Sequence, residues 1–471
     1  MTASGPAGHG AVAGGSTVTC DAAAAMLRQG GSAIDAAVAG AFAATVAEPT
    51  LASLGGGGFC LTAAPGSAPR IIDFFVDMPG VDGGTRAPSP MVDLSVTFGS
   101  GVQQQFHVGW SSVAVPGTLA GLLHLHGTGG RLPLATVIAP ALSAARDGVM
   151  LDAVQVEFIR VIGPILTLTP ESAVLFGPPL AGRPFRNPAY ADLLAALADG
   201  AGADEAFAEP LAEAMRENHG LVTYTDMLQY AVIERTPVAM PRGGAWIWTN
   251  PPPAFGGAIV LEALGLVPTD DPWPALPDSL RDATTRHRAP ESGEVRRGTT
   301  HLSVVDGDGH VAALSLSNGS GSGTIAAGVA LNNMLGEADL HPGGFHSLPA
   351  GQRLSSMMAP ILAQTAAGSL IALGTGGSER IRSALVQVLV RHLDLDEELA
   401  AAISAPRLHP SEEVIDLEPG FPTGYVAALA GAREWTAPDL YFGGVHAVTR
   451  ATDGRVTAVA DTRRGGAVAV V

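Results

Sequence analysis

The stretch Gly298-Thr-Thr-His-Leu-Ser-Val-Val-Asp306, followed by Gly307-Asp308-Gly309 and then His310 to Ser317, restricts what this chain can fold into more than any other. Polar and apolar residues alternate on both sides of a turn-forming triplet, the pattern of two antiparallel strands. A three-residue loop makes Asp306 face His310, and the register then sets Ser317 opposite Thr299; a two-residue loop would set Leu316 there. A threonine at the start of a strand thereby gains a hydroxyl neighbour. On pattern alone, such cross-strand pairs usually do no more than stabilise a sheet.

Helices to cover these strands are written into the first hundred residues. Asp21 to Gln29 is rich in strong helix formers and is stopped by Gly30-Gly31. Ser32 is suited to cap a helix from Ala33 to Val46, which Glu48-Pro49 closes. Gly55 to Gly58 then feeds a short strand, Phe59-Cys60-Leu61. The run lacks both the GxGxxG order and a phosphate-loop lysine, so close approach of backbones is the better reading. Further on, Leu134 to Asp147 reads as an amphipathic helix kinked at Pro140, with helices also expected over Ala191–Ala198 and Glu205–Arg216. A break is expected at Pro210. From Val267 to Gly298 Pro, Asp, Arg and Thr accumulate without an apolar period, which predicts an exposed or mobile segment.

Composition limits the chemistry. With 47% hydrophobic and 15% charged residues in 471, the chain can bury a large core. All 26 basic residues are arginine, which excludes phosphate-loop lysines, lysine Schiff bases and Ser-Lys hydrolases. A net charge of −18 argues against nucleic acid or an anionic membrane as partner. Cys20 and Cys60 lie among small apolar residues and read as buried free thiols, too few for a disulfide framework or a cysteine zinc site. Ala33 to Ala47 is interrupted by Asp35 and is too short to span a bilayer. Met1 to Gly10 shows neither a basic nor an apolar leader region, so a cytoplasmic protein is expected.

Thr299 to Asp306 resembles the start of the small subunit in the gamma-glutamyltranspeptidase family. The likeness extends to Gly30-Gly-Ser-Ala-Ile-Asp-Ala-Ala37, Glu48-Pro49, Gly55–Phe59, Val115–Gly121, Pro251–Gly257, Leu331-Asn-Asn333, Leu354-Ser-Ser-Met357, Gly374–Ser378 and Tyr441–His446, in family order over nearly the whole chain. The resemblance implies a four-layer αββα sandwich of the N-terminal-nucleophile hydrolase type. It also implies self-cleavage between Gly298 and Thr299, into a large subunit of residues 1–298 and a small one of 299–471 that remain one interlocked heterodimer. Thr299 would be the nucleophile and Ser317 its hydrogen-bonding neighbour. Gly376 and Gly377 would supply the oxyanion-hole amides, and Ser355 and Ser356 would contact a substrate carboxylate. No metal or organic cofactor is implied, and the partner would be a small amide or acyl compound.

The chemistry is coherent with residue properties. A free threonine α-amine has a reference pKa of about 8, suited to act as general base for the hydroxyl of the same residue. Two features depart from the family pattern. Where glutamyl-specific members carry a carboxylate-gripping arginine, this chain reads Asp73-Phe-Phe-Val-Asp-Met-Pro79, so Phe75 offers apolar surface instead. The aspartate expected to take a substrate amine is also missing after Asn333, leaving Glu337 as a substitute. Arg353, beside the serine pair, is the candidate to compensate. The acyl group is therefore expected to differ from γ-glutamyl. An alternative is a biosynthetic homologue that cuts a C–C bond or a non-glutamyl acyl group, as in alkylproline antibiotic pathways. A non-enzymatic scaffold is opposed by the joint presence of Gly298-Thr299, Ser317 and Gly376-Gly377.

Overall fold

Strands Gly298–Asp306 and Val311–Gly319 pair in the register that the turn dictates: Thr299 lies opposite Ser317, and Val305 opposite Val311. The Asp306 amide donates to the His310 carbonyl at 3.0 Å, closing the three-residue loop. A bulge interrupts the ladder between Gly298 and Thr299. The computed structural model describes every residue except 7, 85–87, 98–102, 179, 288–297, 342 and 412–413.

This hairpin sits inside a seven-stranded antiparallel sheet. Its order is Ala467–Val470, Gly10–Gly14, Gly298–Asp306, Val311–Gly319, Gly57–Ala63, Arg70–Phe74 and Ile233–Arg235. A second antiparallel sheet of seven faces it: Thr2–Gly5, Val456–Ala460, Gly444–Arg450, Leu370–Gly376, Ile361–Thr365, Ala245–Thr249 and Val238–Arg242. Period-two alternation divides the side chains between layers. Ala11, Ala13, Phe59, Leu61 and Val305 meet Leu362, Ala372, Val448 and Ala458 between the sheets. Val12, Cys60, Leu302 and Val304 point the other way, into an outer layer that includes helices Thr17–Arg28 and Ala33–Ala47. Helices Gly256–Leu266, Leu276–His287 and Arg380–Leu389 cover the second sheet. The result is the αββα sandwich.

Local signals explain the inner helices. The Ser32 hydroxyl accepts the Asp35 amide while the Asp35 carboxylate accepts the Ser32 amide, a reciprocal cap at the start of Ala33–Ala47. That helix is buried along its length apart from Thr45, which explains why it is apolar all round. Thr17–Arg28 starts four residues before the expected Asp21, because Ser16 caps it. Both cysteines are buried and free, as expected. Among the described residues no helix is long and apolar enough to cross a membrane.

Two expectations need correction. Val267–Gly298 is not irregular throughout: Leu276–His287 is helical, with Leu276, Leu280 and Ala283 buried along one stripe. Those three apolar positions are diluted by charged neighbours, which hid the period. Residues 288–297, the rest of that segment before Gly298, lie outside the described residues. In the second case, the irregularity expected at Pro210 comes before it. A π-helical turn over Asp204–Ala208 precedes the regular helix Glu209–Glu217, in which Pro210 occupies the first turn and needs no amide partner.

Residues before and after Thr299 contribute strands to both sheets. Neither side of that position could form either sheet alone.

Candidate active site

Alternation along Gly298–Asp306 turns Thr299, His301 and Ser303 towards the second sheet; Ser303 reaches across to donate to the His446 carbonyl at 3.1 Å. Thr299 is buried at the head of this strand. Its hydroxyl donates to Ser317 Oγ over a long 3.3 Å. Ser317 Oγ donates in turn to the carbonyl of Gly298 at 2.7 Å and accepts the Gly319 amide at 3.2 Å. The cross-strand hydroxyl thus links the threonine to the carbonyl directly before it.

Backbone approach is equally tight there. A Cβ on Gly298 would fall 2.2 Å from the Thr50 carbonyl oxygen, so no larger residue fits before Thr299. On the facing sheet, a Cβ on Gly376 would lie 2.0 Å from the Thr299 carbonyl oxygen, and Gly377 holds φ at +132°. Glycine alone tolerates both demands.

Thr300 faces the helix layer, where it donates to Glu48 at 2.5 Å; Thr19 donates to the same carboxylate at 2.6 Å. Glu48 is fully buried, and burial pushes its carboxyl up from 4.5 to about 7, against the pull of these hydroxyl bonds. A carboxyl with a raised native value binds its proton more tightly when folded. Its contribution to stability is therefore full below about pH 4.5 and is lost as pH rises through 7. The shift corresponds to roughly 3 kcal/mol. Glu48→Gln should flatten this slope and stabilise the protein at pH 8, measured by chemical denaturation across pH 4–8. An unchanged slope would place the titration elsewhere.

Two buried histidines between the sheets, His301 and His446, are weak bases. His301 lies between Ser315 at 2.8 Å and Ser303 at 2.9 Å, and burial holds its value well below the ordinary one. Burial likewise depresses His446 to about 4. Among the described residues one group could hold a cation, Asp306, Asp308 and His310. It lies at the far end of the strand from Thr299, and its carboxylates already accept the Ala33 amide and Arg131.

A cleft opens beside Thr299. Its polar lining is Thr299, Ser317, Ser356 and Ser378; the rest is Phe75, Met334, Leu340, Met357, Met358 and Ile381. No arginine or histidine is among these lining residues. The arrangement brings together paired hydroxyls, neighbouring glycine backbone and an apolar wall.

The profile of the gamma-glutamyltranspeptidase family matches residues 19–271 and 271–471. The chain belongs to that family. It is 27% identical to the glutathione hydrolase proenzyme of Escherichia coli K12 over 93% of this chain and 87% of that one. It is 28% identical to the acylase ACY 1 proenzyme of Pseudomonas sp. strain SE83, over 94% and 90% respectively. The fold matches the crystal structure of cephalosporin acylase from Bacillus halodurans with a TM-score of 0.83 and 23% identity, covering 99% of this chain and 96% of that one. As a family member the protein is an enzyme of the N-terminal-nucleophile type.

Of the residues singled out by resemblance to the family, the structure gathers Thr299, Ser317, Ser356 and Phe75 around the cleft and sets Gly376 against Thr299. Ser355 is not among the lining residues, and Ser356 Oγ accepts the Met358 amide at 3.2 Å. Asn333 and Glu337 approach Gly319, and Asn333 Oδ1 accepts the Ser320 amide at 2.8 Å. Arg353 lies elsewhere. Its guanidinium donates to the carboxylates of Asp73 at 2.7 Å and Asp77, and to the Ala231 carbonyl at 2.6 Å, beneath Tyr230. Tyr230 and Asp73 in turn bond the backbone of Phe75. Sequence reasoning assigned no role to Glu48 or Ser378. An acidic residue within an apolar stretch was the available signal for the first; the second had none beyond its place after Gly376-Gly377.

Proposed function

We propose that the protein is a self-processing N-terminal-threonine hydrolase or acyltransferase acting on an amide-type substrate whose acyl group lacks the charged amino-acid head of γ-glutamyl. The observation that carries this reading is the hydroxyl relay from Thr299 through Ser317 to the Gly298 carbonyl. In the intact chain Thr299 Oγ attacks the Gly298 carbonyl carbon, and its proton is handed through Ser317 to the departing Thr299 nitrogen. The C–N bond breaks, the acyl group moves to Oγ as an ester, and water hydrolyses it, leaving Gly298 a carboxylate and Thr299 a free amine. That amine then takes the hydroxyl proton in each turnover, its basicity better matched to neutral pH than that of His301 or His446. The Gly376 and Gly377 amides stabilise the oxyanion.

The two fragments, 1–298 and 299–471, would stay together because each supplies strands to both sheets. The proenzyme names of the relatives agree with such processing. An acyl group without a charged head is favoured by the uncharged cleft wall. The same wall leaves room for the C–C-cleaving alternative, which an α-keto-acid probe distinguishes from amide cleavage.

Intact mass spectrometry tests the reading: two chains are expected, the smaller beginning Thr-Thr-His, whereas a single active chain would refute it. Ser317→Ala should slow cleavage and turnover by roughly 10- to 1000-fold with little effect on the melting temperature. An unchanged rate would remove Ser317 from the relay.

A further inference from the structure

Ser378 follows the glycine pair and begins the turn into helix Arg380–Leu389. Its φ is +54°, in the left-handed region where a Cβ is disfavoured. The turn is fixed by amide bonds from Arg380 to the Gly377 carbonyl at 3.1 Å and from Ile381 to the Ser378 carbonyl at 3.0 Å. The side chain is 3% exposed, and its hydroxyl has no hydrogen-bond partner among the described residues. It nevertheless lines the cleft that holds Thr299 and Ser317.

Both features oppose stability. Glycine would relieve the backbone, and alanine would remove the unsatisfied hydroxyl. Buried polar groups in native proteins are nearly always satisfied, and an exception beside reacting atoms calls for a partner that arrives later. The hydroxyl adjoins the glycine amides in sequence, where an acyl oxygen would gain negative charge. The apolar wall strengthens any hydrogen bond made there.

We propose that Ser378 is a further catalytic residue, whose hydroxyl donates to the acyl oxygen of the substrate alongside the Gly376 and Gly377 amides. This rests on the reading of Thr299 as nucleophile. Ser378→Ala and Ser378→Gly separate the hydroxyl from the backbone. Each is checked for an unchanged or higher melting temperature and incubated until intact mass shows complete cleavage. Acylation is then followed as nitrophenolate release from p-nitrophenyl hexanoate. Both variants should acylate about 100-fold more slowly, the loss typical of one oxyanion donor, with KM unchanged. A wild-type rate in Ser378→Ala would overturn the proposal. So would a loss in Ser378→Ala that Ser378→Gly restores, since that would trace the effect to backbone strain. Failure of the wild-type protein itself to cleave or to release nitrophenolate would instead bring down the Thr299 reading, and this proposal with it.

Discussion

Thr299→Ala is expected to remain one uncut chain of 471 residues and to lose turnover by on the order of 10⁶-fold, the scale seen when a hydrolase loses its nucleophile. The substitution removes both the oxygen proposed to attack and the donor of the hydrogen bond to Ser317. It leaves Ser317 bonded to the Gly298 carbonyl, and glycine still fits the gap beside the Thr50 carbonyl, so the fold should survive. Thr299→Ser should keep both reactions at reduced rate. Serine restores the oxygen but lacks the β-branch that limits the χ1 rotamer and holds Oγ on target. Intact mass and a p-nitroanilide assay on the three proteins decide the matter. Cleavage before residue 299 in the alanine variant, or undiminished turnover, would show that another group attacks.

The reach of the sequence differed from feature to feature for physical reasons. Loop length fixes hairpin register, so the Thr299–Ser317 pairing could be counted out from Asp306 and His310 alone. The cap at Ser32 was equally local, since Asp35 stands three residues on. Helix Leu276–His287 was hidden because its buried stripe has few members and depends on packing against the second sheet's helices. Arg353 shows the harder case. Its place beside the serine pair made it a candidate to replace the missing carboxylate-gripping arginine, yet its carboxylate partner Asp73 is 280 residues away, a pairing only the tertiary fold creates. The strain and isolation of Ser378 are likewise properties of the folded surroundings.

The position of Arg353 leads to the second large effect, on stability and not on specificity. Its side chain is buried against Asp73 and Asp77, so Arg353→Ala takes the hydrogen-bonded guanidinium from Asp77 and strands the Ala231 carbonyl. Removing one partner of a buried pair typically destabilises by about 3–5 kcal/mol. The surviving Arg235–Asp73 bridge, at 2.7 Å, should keep the loss near the lower figure. Substrate preference should not follow. A γ-glutamyl group brings a carboxylate and an ammonium into a cleft whose lining includes no arginine, and an unpaired buried charge costs more than methylene contacts return. We therefore expect kcat/KM for γ-glutamyl p-nitroanilide to fall well below that for hexanoyl p-nitroanilide, and the ratio to stay the same in Arg353→Ala despite a lower melting temperature. A strong γ-glutamyl preference that disappears in the variant would mean that Arg353 leaves its aspartates to grip the substrate, and would restore a glutamyl-specific enzyme.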